Sequence, residues 1–200
     1  MPIGLGSGLW GVVLPVEKTN LIENPSGEYG TIGCAGLTSG VVGTSSQYQV
    51  FGAWSFQITP AANGTSGALM GTYQVSNGSA YSVSAYVRGP LLGTVMIAAG
   101  DTNGANIVGS VVGLTLSDRW QQFSFKYTAG ANTTHRMVIR KTGNDTIGAT
   151  PIYADGLQVE LGSATTFISG DDGGGTGGTE GGDSGLGGAG RVIVYVFNGT

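Results

Sequence analysis

Charged side chains are scarce in this chain: Lys, Arg, Asp and Glu make up 10% of its 200 residues, against about 25% in an average soluble protein. Residues 1–169 hold seven basic and eight acidic side chains, so this part is nearly neutral. Binding to nucleic acid or polybasic attachment to a membrane requires a basic footprint, which this composition excludes. We find no apolar run of about 18 residues, the length of a membrane span. We also find no basic and apolar leader typical of a signal peptide.

Cysteine and histidine each occur only once, as Cys34 and His135. A single cysteine cannot form an intrachain disulfide, and the spacing of zinc ligands is missing. We interpret Cys34 as a buried or half-buried small residue and His135 as a surface residue of a strand. No Ser/His/Asp set can be assembled, and no pair of acids stands out as a glycosidase pair. The sequence therefore predicts a protein that is not an enzyme.

Glycine, in contrast, is abundant, with 39 residues that are concentrated towards the C-terminus. Residues 170–190 contain 12 glycines and four acidic side chains, which is the composition of a flexible, acidic linker. The RVIVYVF run after it is apolar and β-branched, as strands are. We therefore predict four segments, which are an N-terminal extension (1–19), a β-domain (20–169), the Gly-rich linker (170–190) and a C-terminal strand (191–200).

Within residues 20–169 the apolar side chains recur with a period of two, the period of a β-strand. The 80–88 segment shows it most clearly, with Tyr86 on the side opposite the apolar face. Turn signals such as Asn-Gly separate the strand-like runs, which are 48–58, 68–75, 80–88, 94–99, 107–116, 119–128, 135–141 and 152–161. Many short strands without helical periodicity predict an all-β fold, an antiparallel β-sandwich of the jelly-roll type.

Four segments of the chain resemble one known family, and the last two are the specific ones, with the same order and spacing as in that family. They read NLIENPSGE (20–28), NGSAYSVSAYVR (77–88), LTLSDRWQQFSFKYT (114–128) and IYADGLQVELGSATTFISGD (152–171). They are similar to segments of jelly-roll carbohydrate-binding modules of the family 4/9 and 22 type, in the version found in phage tail and other virion structural proteins. The resemblance implies two antiparallel sheets, one of them concave.

The resemblance also implies a structural calcium ion where the first strand meets the last. The matching acids are Glu28 and Asp155, and calcium prefers such oxygen ligands. Two positions depart from the family, because Gly27 replaces an aromatic residue and Gly156 replaces a second acid. The alternative interpretation is that both carboxylates accept hydrogen bonds from the backbone.

Sugar-binding modules stack aromatic side chains on the face of a pyranose ring. The candidates here are Trp54, Tyr73 and Tyr86, of which Tyr86 would line the concave sheet because it lies opposite the apolar face of its strand. The alternative for each of them is packing in the core or between subunits.

Together these observations predict a non-enzymatic virion structural protein, which would be a phage tail, fibre or capsid-decoration component. Its partners would be other virion subunits, including further copies of itself in a homo-oligomer, and a cell-surface glycan. Its location would be the virion, an extracellular particle. The alternative is a secreted glycan-binding module associated with a polysaccharide-degrading enzyme. A catalytic jelly roll is a third interpretation, and it would need a convergent acid/base pair in a cleft.

Overall fold

The computed structural model describes residues 19–105, 107–131, 133–143 and 147–163. These residues form ten strands, which are β1 (Ala35–Leu37), β2 (Val41–Ser45), β3 (Ser55–Thr59), β4 (Gly67–Val75), β5 (Ala80–Arg88), β6 (Thr94–Gly100), β7 (Ile107–Thr115), β8 (Gln121–Thr128), β9 (Thr133–Lys141) and β10 (Ile152–Leu161). No helix of membrane-spanning length and apolarity occurs in the described part of the chain. The predicted linker and C-terminal strand lie outside the described residues, as does the predicted N-terminal extension except for residue 19.

The strands form two five-stranded sheets. The first sheet has the order β1-β4-β9-β6-β7, and the second has the order β2-β3-β10-β5-β8. Every pair of neighbouring strands is antiparallel. The prediction of an all-β, antiparallel sandwich is therefore confirmed.

The hydrophobic core lies between the two sheets. Alternate residues of β5 point inward, and the same alternation holds on β10 up to the bulge between Asp155 and Gln158. The opposite sheet contributes alternate residues of β4, β6 and β9. The largest side chains that are fully buried between the sheets include Phe56, Ile58, Met70, Ile97, Met137, Ile139 and Leu157. This inward set defines an outer face on each sheet.

The opening motif of the domain runs along β10 beyond the point where β3 stops pairing with it. The Leu21 amide donates to the Val159 carbonyl, and the Leu157 amide donates to the Pro25 carbonyl, both within 2.9 Å. The buried Asn20 amide side chain extends this pairing by donating to the Leu157 carbonyl and accepting from the Val159 amide. The asparagine thus replaces strand hydrogen bonds, which accounts for its place in the motif.

Two sequence predictions about the strands were wrong. The predicted 48–58 strand is a strand only from Ser55, because residues 46–54 form a loop between β2 and β3. His135, predicted at the surface, points into the core and is 3% exposed. Strands β1 and β2 were not predicted. The half-buried position of Cys34 agrees with the prediction for that residue.

The outer face of the first sheet is aliphatic at its centre. Leu69, Met96 and Val138 form a second buried cluster there with Ala98. The loop after β6 lies directly on this cluster, since a Cβ atom on Gly104 would meet Leu69 Cδ2 at 2.5 Å. Among the side chains described on this face, none is aromatic.

Candidate functional site

The outer face of the second sheet is covered at one end by the 46–54 loop. Glu28 holds the C-terminal half of this loop, because its Oε1 atom accepts hydrogen bonds from the amides of Ala53 and Trp54 at 2.7 and 2.8 Å. Gly52 has a φ of +66°, and a Cβ atom there would collide with the Glu28 carboxylate. A glycine is therefore required at the point where the loop wraps around the acid.

Asp155 of β10 holds the N-terminal half of the same loop. Its Oδ2 atom accepts from the amides of Val50 and Phe51 at 2.6 and 3.0 Å, and its Oδ1 atom accepts from the Gly156 amide at 2.7 Å. Burial raises the pKa of Asp155 to about 6, although these three amides act against that rise and Glu28 adds to it. The two acids singled out in the sequence thus act on one loop, each through backbone hydrogen bonds.

One side chain of the N-terminal half of the loop forms a stacked pair with a side chain of β5. The Arg88 guanidinium of β5 stands over the Tyr48 ring, 3.6 Å from its centroid. Tyr48 in turn meets the Tyr153 ring of β10 edge-on, with the centroids 4.9 Å apart. The exposed Gln47 side chain donates to the Tyr48 hydroxyl at 3.1 Å. Both tyrosines are partly exposed.

The second aromatic contact joins the loop to the centre of the sheet. Phe51 meets Tyr86 edge-on at 5.4 Å between centroids. Both rings lie over Gly156, where a Cβ atom would be 2.6 Å from Phe51 and 3.1 Å from Tyr86. The absence of a side chain at Gly156 therefore makes room for this pair. Tyr86 remains partly exposed beside it.

We call the set Tyr48, Trp54, Tyr86, Arg88 and Tyr153 the loop surface. Trp54 is 41% exposed and precedes Ser55, whose hydroxyl donates to the Tyr48 carbonyl. Aromatic rings offer flat apolar faces with polar tips, and an arginine adds up to five donors. A surface of this kind can stack on a flat ligand ring and bind hydroxyl or carboxylate groups at its rim.

The loop surface contains two of the three aromatic residues predicted from the sequence. Tyr73 is not among them, because its side chain points into the core and is 3% exposed. Its hydroxyl lies 3.2 Å from that of Tyr127, which lies 2.9 Å from His135 Nδ1. Tyr73 therefore belongs to a buried polar network between the sheets and cannot offer its ring to a ligand.

The residues that sequence reasoning missed are Tyr48, Arg88 and Tyr153. The period of two does place Arg88 and Tyr86 on one face of β5, so that part of the signal was present. The contribution of the loop was hidden, since 46–54 reads as part of a strand. Nothing in the sequence shows that Tyr48 folds back over β10 and β5.

The two acids do not form a calcium cage in the arrangement described. Backbone amides occupy three of their four oxygens, and amides are donors that do not ligate a cation. Among the described residues no group of three or more His, Cys, Asp or Glu side chains could hold a metal ion. Calcium at Glu28 and Asp155 therefore stays a prediction.

Comparison with known proteins gives structural neighbours only. No family model matches the chain, and no curated protein matches it. The sandwich is similar to the CBM22-1 xylan-binding domain from Paenibacillus barcinonensis Xyn10C, with a TM-score of 0.53, 15% identity, and coverage of 76% of this chain and 98% of that one. The fold is therefore a jelly roll similar to that of this carbohydrate-binding module.

Two further neighbours show how widely this jelly roll is used. A CBM4 structure matches with a TM-score of 0.54 and 12% identity over 68% of this chain and 100% of its own. The enzymatically active domain of tailspike protein 4 from bacteriophage CBA120 matches with a TM-score of 0.52 and 13% identity, over 72% of this chain and 21% of its own. At such identities the likeness shows the fold alone. Most of the neighbours are binding modules.

Proposed function

We propose that this chain is a non-enzymatic glycan-binding protein whose ligand lies on the loop surface. The observation that carries the proposal is the partly exposed Tyr153 beside Arg88, together with the 41% exposed Trp54 at the end of the loop that Glu28 and Asp155 hold in shape. Flat aromatic faces with hydrogen-bonding groups around them suit a sugar ring, which has apolar C–H faces and a rim of hydroxyls.

The outer face of the first sheet supports this assignment by contrast. Its centre is aliphatic, and the loop after β6 lies on it. A sugar placed there would lose hydroxyl hydrogen bonds to water without gaining polar partners, which costs free energy. The outer face of the second sheet is therefore the better candidate for a glycan-binding site.

For the wider setting we propose a virion structural protein of the tail, fibre or decoration type. The closing segment QVELGSATTFISGD supports it through its resemblance to virion proteins, and so does the similar sandwich within a bacteriophage tailspike. In this setting the protein would bind other virion subunits and attach the particle to a cell-surface glycan. The alternative is a secreted module that accompanies a polysaccharide-degrading enzyme. The similarity to a xylan-binding domain favours this alternative, since the match covers 98% of that domain.

The test is binding of the full chain to an array that carries bacterial surface polysaccharides and plant xylans. For any glycan that binds, we expect Trp54→Ala to weaken affinity at least about tenfold, or about 1.4 kcal/mol, because an exposed stacking ring is lost. The matched control is Tyr73→Phe, which changes a buried aromatic residue of the core and should leave affinity unchanged. Absence of binding to every glycan, or equal affinity of Trp54→Ala and the unaltered chain, would overturn the proposal.

A further inference from the structure

Arg88 is the one cation of the loop surface, and its only described side-chain contact is the Tyr48 ring. Within the described residues, no carboxylate lies within ion-pair distance of its guanidinium. The residue is partly exposed. Its charge is therefore held in place by an aromatic ring and is not neutralised by an acid.

Stacking leaves the hydrogen-bonding edge of a guanidinium free. The ring covers one planar face of the group, whereas the N–H donors point outward in the plane. A planar fork of this kind matches the two oxygens of a carboxylate, and such bidentate pairs are about twice as strong as neutral hydrogen bonds. Held over Tyr48, the fork loses less conformational entropy when it binds.

The two acids that hold the loop do not compete for this fork. Asp155 accepts three backbone amides, and Glu28 accepts two. The structure thus directs the acids inward to the loop backbone while the arginine faces the surface. That division leaves a positive group beside the partly exposed ring of Tyr153.

We infer that Arg88 makes the loop surface selective for acidic glycans, those whose sugar rings carry a carboxylate as uronic acids do. The inference rests on the proposed glycan-binding function and names the ligand class for the same site. The sugar ring would stack on an aromatic side chain while its carboxylate accepts two N–H bonds from Arg88.

The experiment compares matched ligands on the full chain by calorimetric titration. The probes are oligosaccharides of polygalacturonate, alginate and hyaluronan, each beside its carboxyl-reduced, neutral counterpart. We expect at least one acidic probe to bind about tenfold or more tightly than its neutral counterpart, since one charge-assisted pair is lost on reduction. The preference should shrink as salt rises.

Three variants assign that preference to the arginine. Arg88→Met should bind acidic and neutral probes alike, and Arg88→Lys should keep only part of the preference because it lacks the planar fork. Lys126→Met removes an exposed cation at the far end of the β5–β8 pair and should change nothing. Thermal melting of each variant checks that it is folded.

The outcomes separate the inference from the proposed function. If neutral and acidic probes bind equally, or if Arg88→Met keeps the acidic preference, the inference is wrong and glycan binding stands. If neither these probes nor any glycan of the array binds the unaltered chain, both fail together.

Discussion

Gly52 shows how a single residue shapes the loop of the proposed binding face. Its positive φ and its contact with Glu28 both exclude a side chain. We predict that Gly52→Ala destabilises the protein by more than about 1 kcal/mol, the ordinary cost of placing alanine in this conformation. The loss should appear in urea unfolding, together with weaker glycan binding.

Gly78 provides the matched control for that prediction. It also has a positive φ, +76°, but a Cβ atom there would meet nothing within 4 Å. Gly78→Ala should therefore lower the free energy of unfolding only by the cost of placing alanine at a positive φ, and glycan binding should not change. Equal destabilisation by the two substitutions would show that the contact with Glu28 contributes nothing.

The raised pKa of Asp155 makes folding stability depend on pH in the direction opposite to that of most acids. Burial raises its pKa from 3.8 to about 6, so the folded state holds the proton more tightly than the unfolded state does. Asp155 therefore contributes up to about 3 kcal/mol to the free energy of unfolding below pH 4. This contribution is lost as the pH rises towards 6. Asp155→Asn should flatten that part of the stability profile.

Urea unfolding between pH 4 and 7 measures this difference between the variant and the unaltered chain. Profiles that run parallel would contradict the raised pKa. The same titration in calcium chloride tests the predicted calcium site, because a bound cation favours the ionised carboxylate and would remove the fall in stability. A profile insensitive to calcium would count against that site.

At the scale of elements, the sandwich was largely predictable and its loops were not. The bounds of β5 and β10 agree with the predicted runs because β5 alternates throughout, β10 alternates on each side of its bulge, and both strands end at turn residues. Strands β1 and β2 contain few large apolar residues, so they give no periodic signal. The 46–54 loop alternates like a strand, and only its tertiary contacts with Glu28 and Asp155 decide its path.

The same limit applies to the residues proposed to bind a glycan. Tyr86 could be selected from its face of the strand, and Trp54 from its residue type. Tyr73 alternates in the same way, but the bulge of β4 between Met70 and Tyr73 sets its direction inward. A shift of one residue reverses the face of every side chain that follows, so a bulge defeats prediction from alternation.

The polar network between the sheets leads to a prediction at this scale. Tyr127 of β8 bridges Tyr73 of β4 and His135 of β9. Tyr127→Phe leaves two buried polar groups without their bridge and should cost about 1–3 kcal/mol in unfolding free energy. Urea unfolding measures the cost, and glycan affinity should not change.

The double variant Tyr73→Phe/Tyr127→Phe provides the control. It removes the hydroxyl pair together, so its cost should be less than the sum of the two single changes. Additive costs would indicate that the three groups do not act as one network. Burial also lowers the pKa of His135, so protonation of this residue at low pH should work against folding.

At the scale of the whole molecule, the virion setting requires assembly. The described sandwich has four edge strands, β1, β7, β2 and β8. Edges of this kind can pair with another chain. We predict that the full chain forms a homo-oligomer, which light scattering at several protein concentrations would detect. A monomer at all concentrations would favour the secreted-module alternative.

We propose above all that a glycan binds the outer face of the second sheet. The most direct measurement is the change in the backbone amide NMR shifts of the full chain on addition of an acidic oligosaccharide that binds it. We expect shifts confined to residues 46–54, to β5 near Arg88 and to β10 near Tyr153. Shifts centred on Leu69, Met96 and Val138 would place the ligand on the first sheet and would contradict the proposed site.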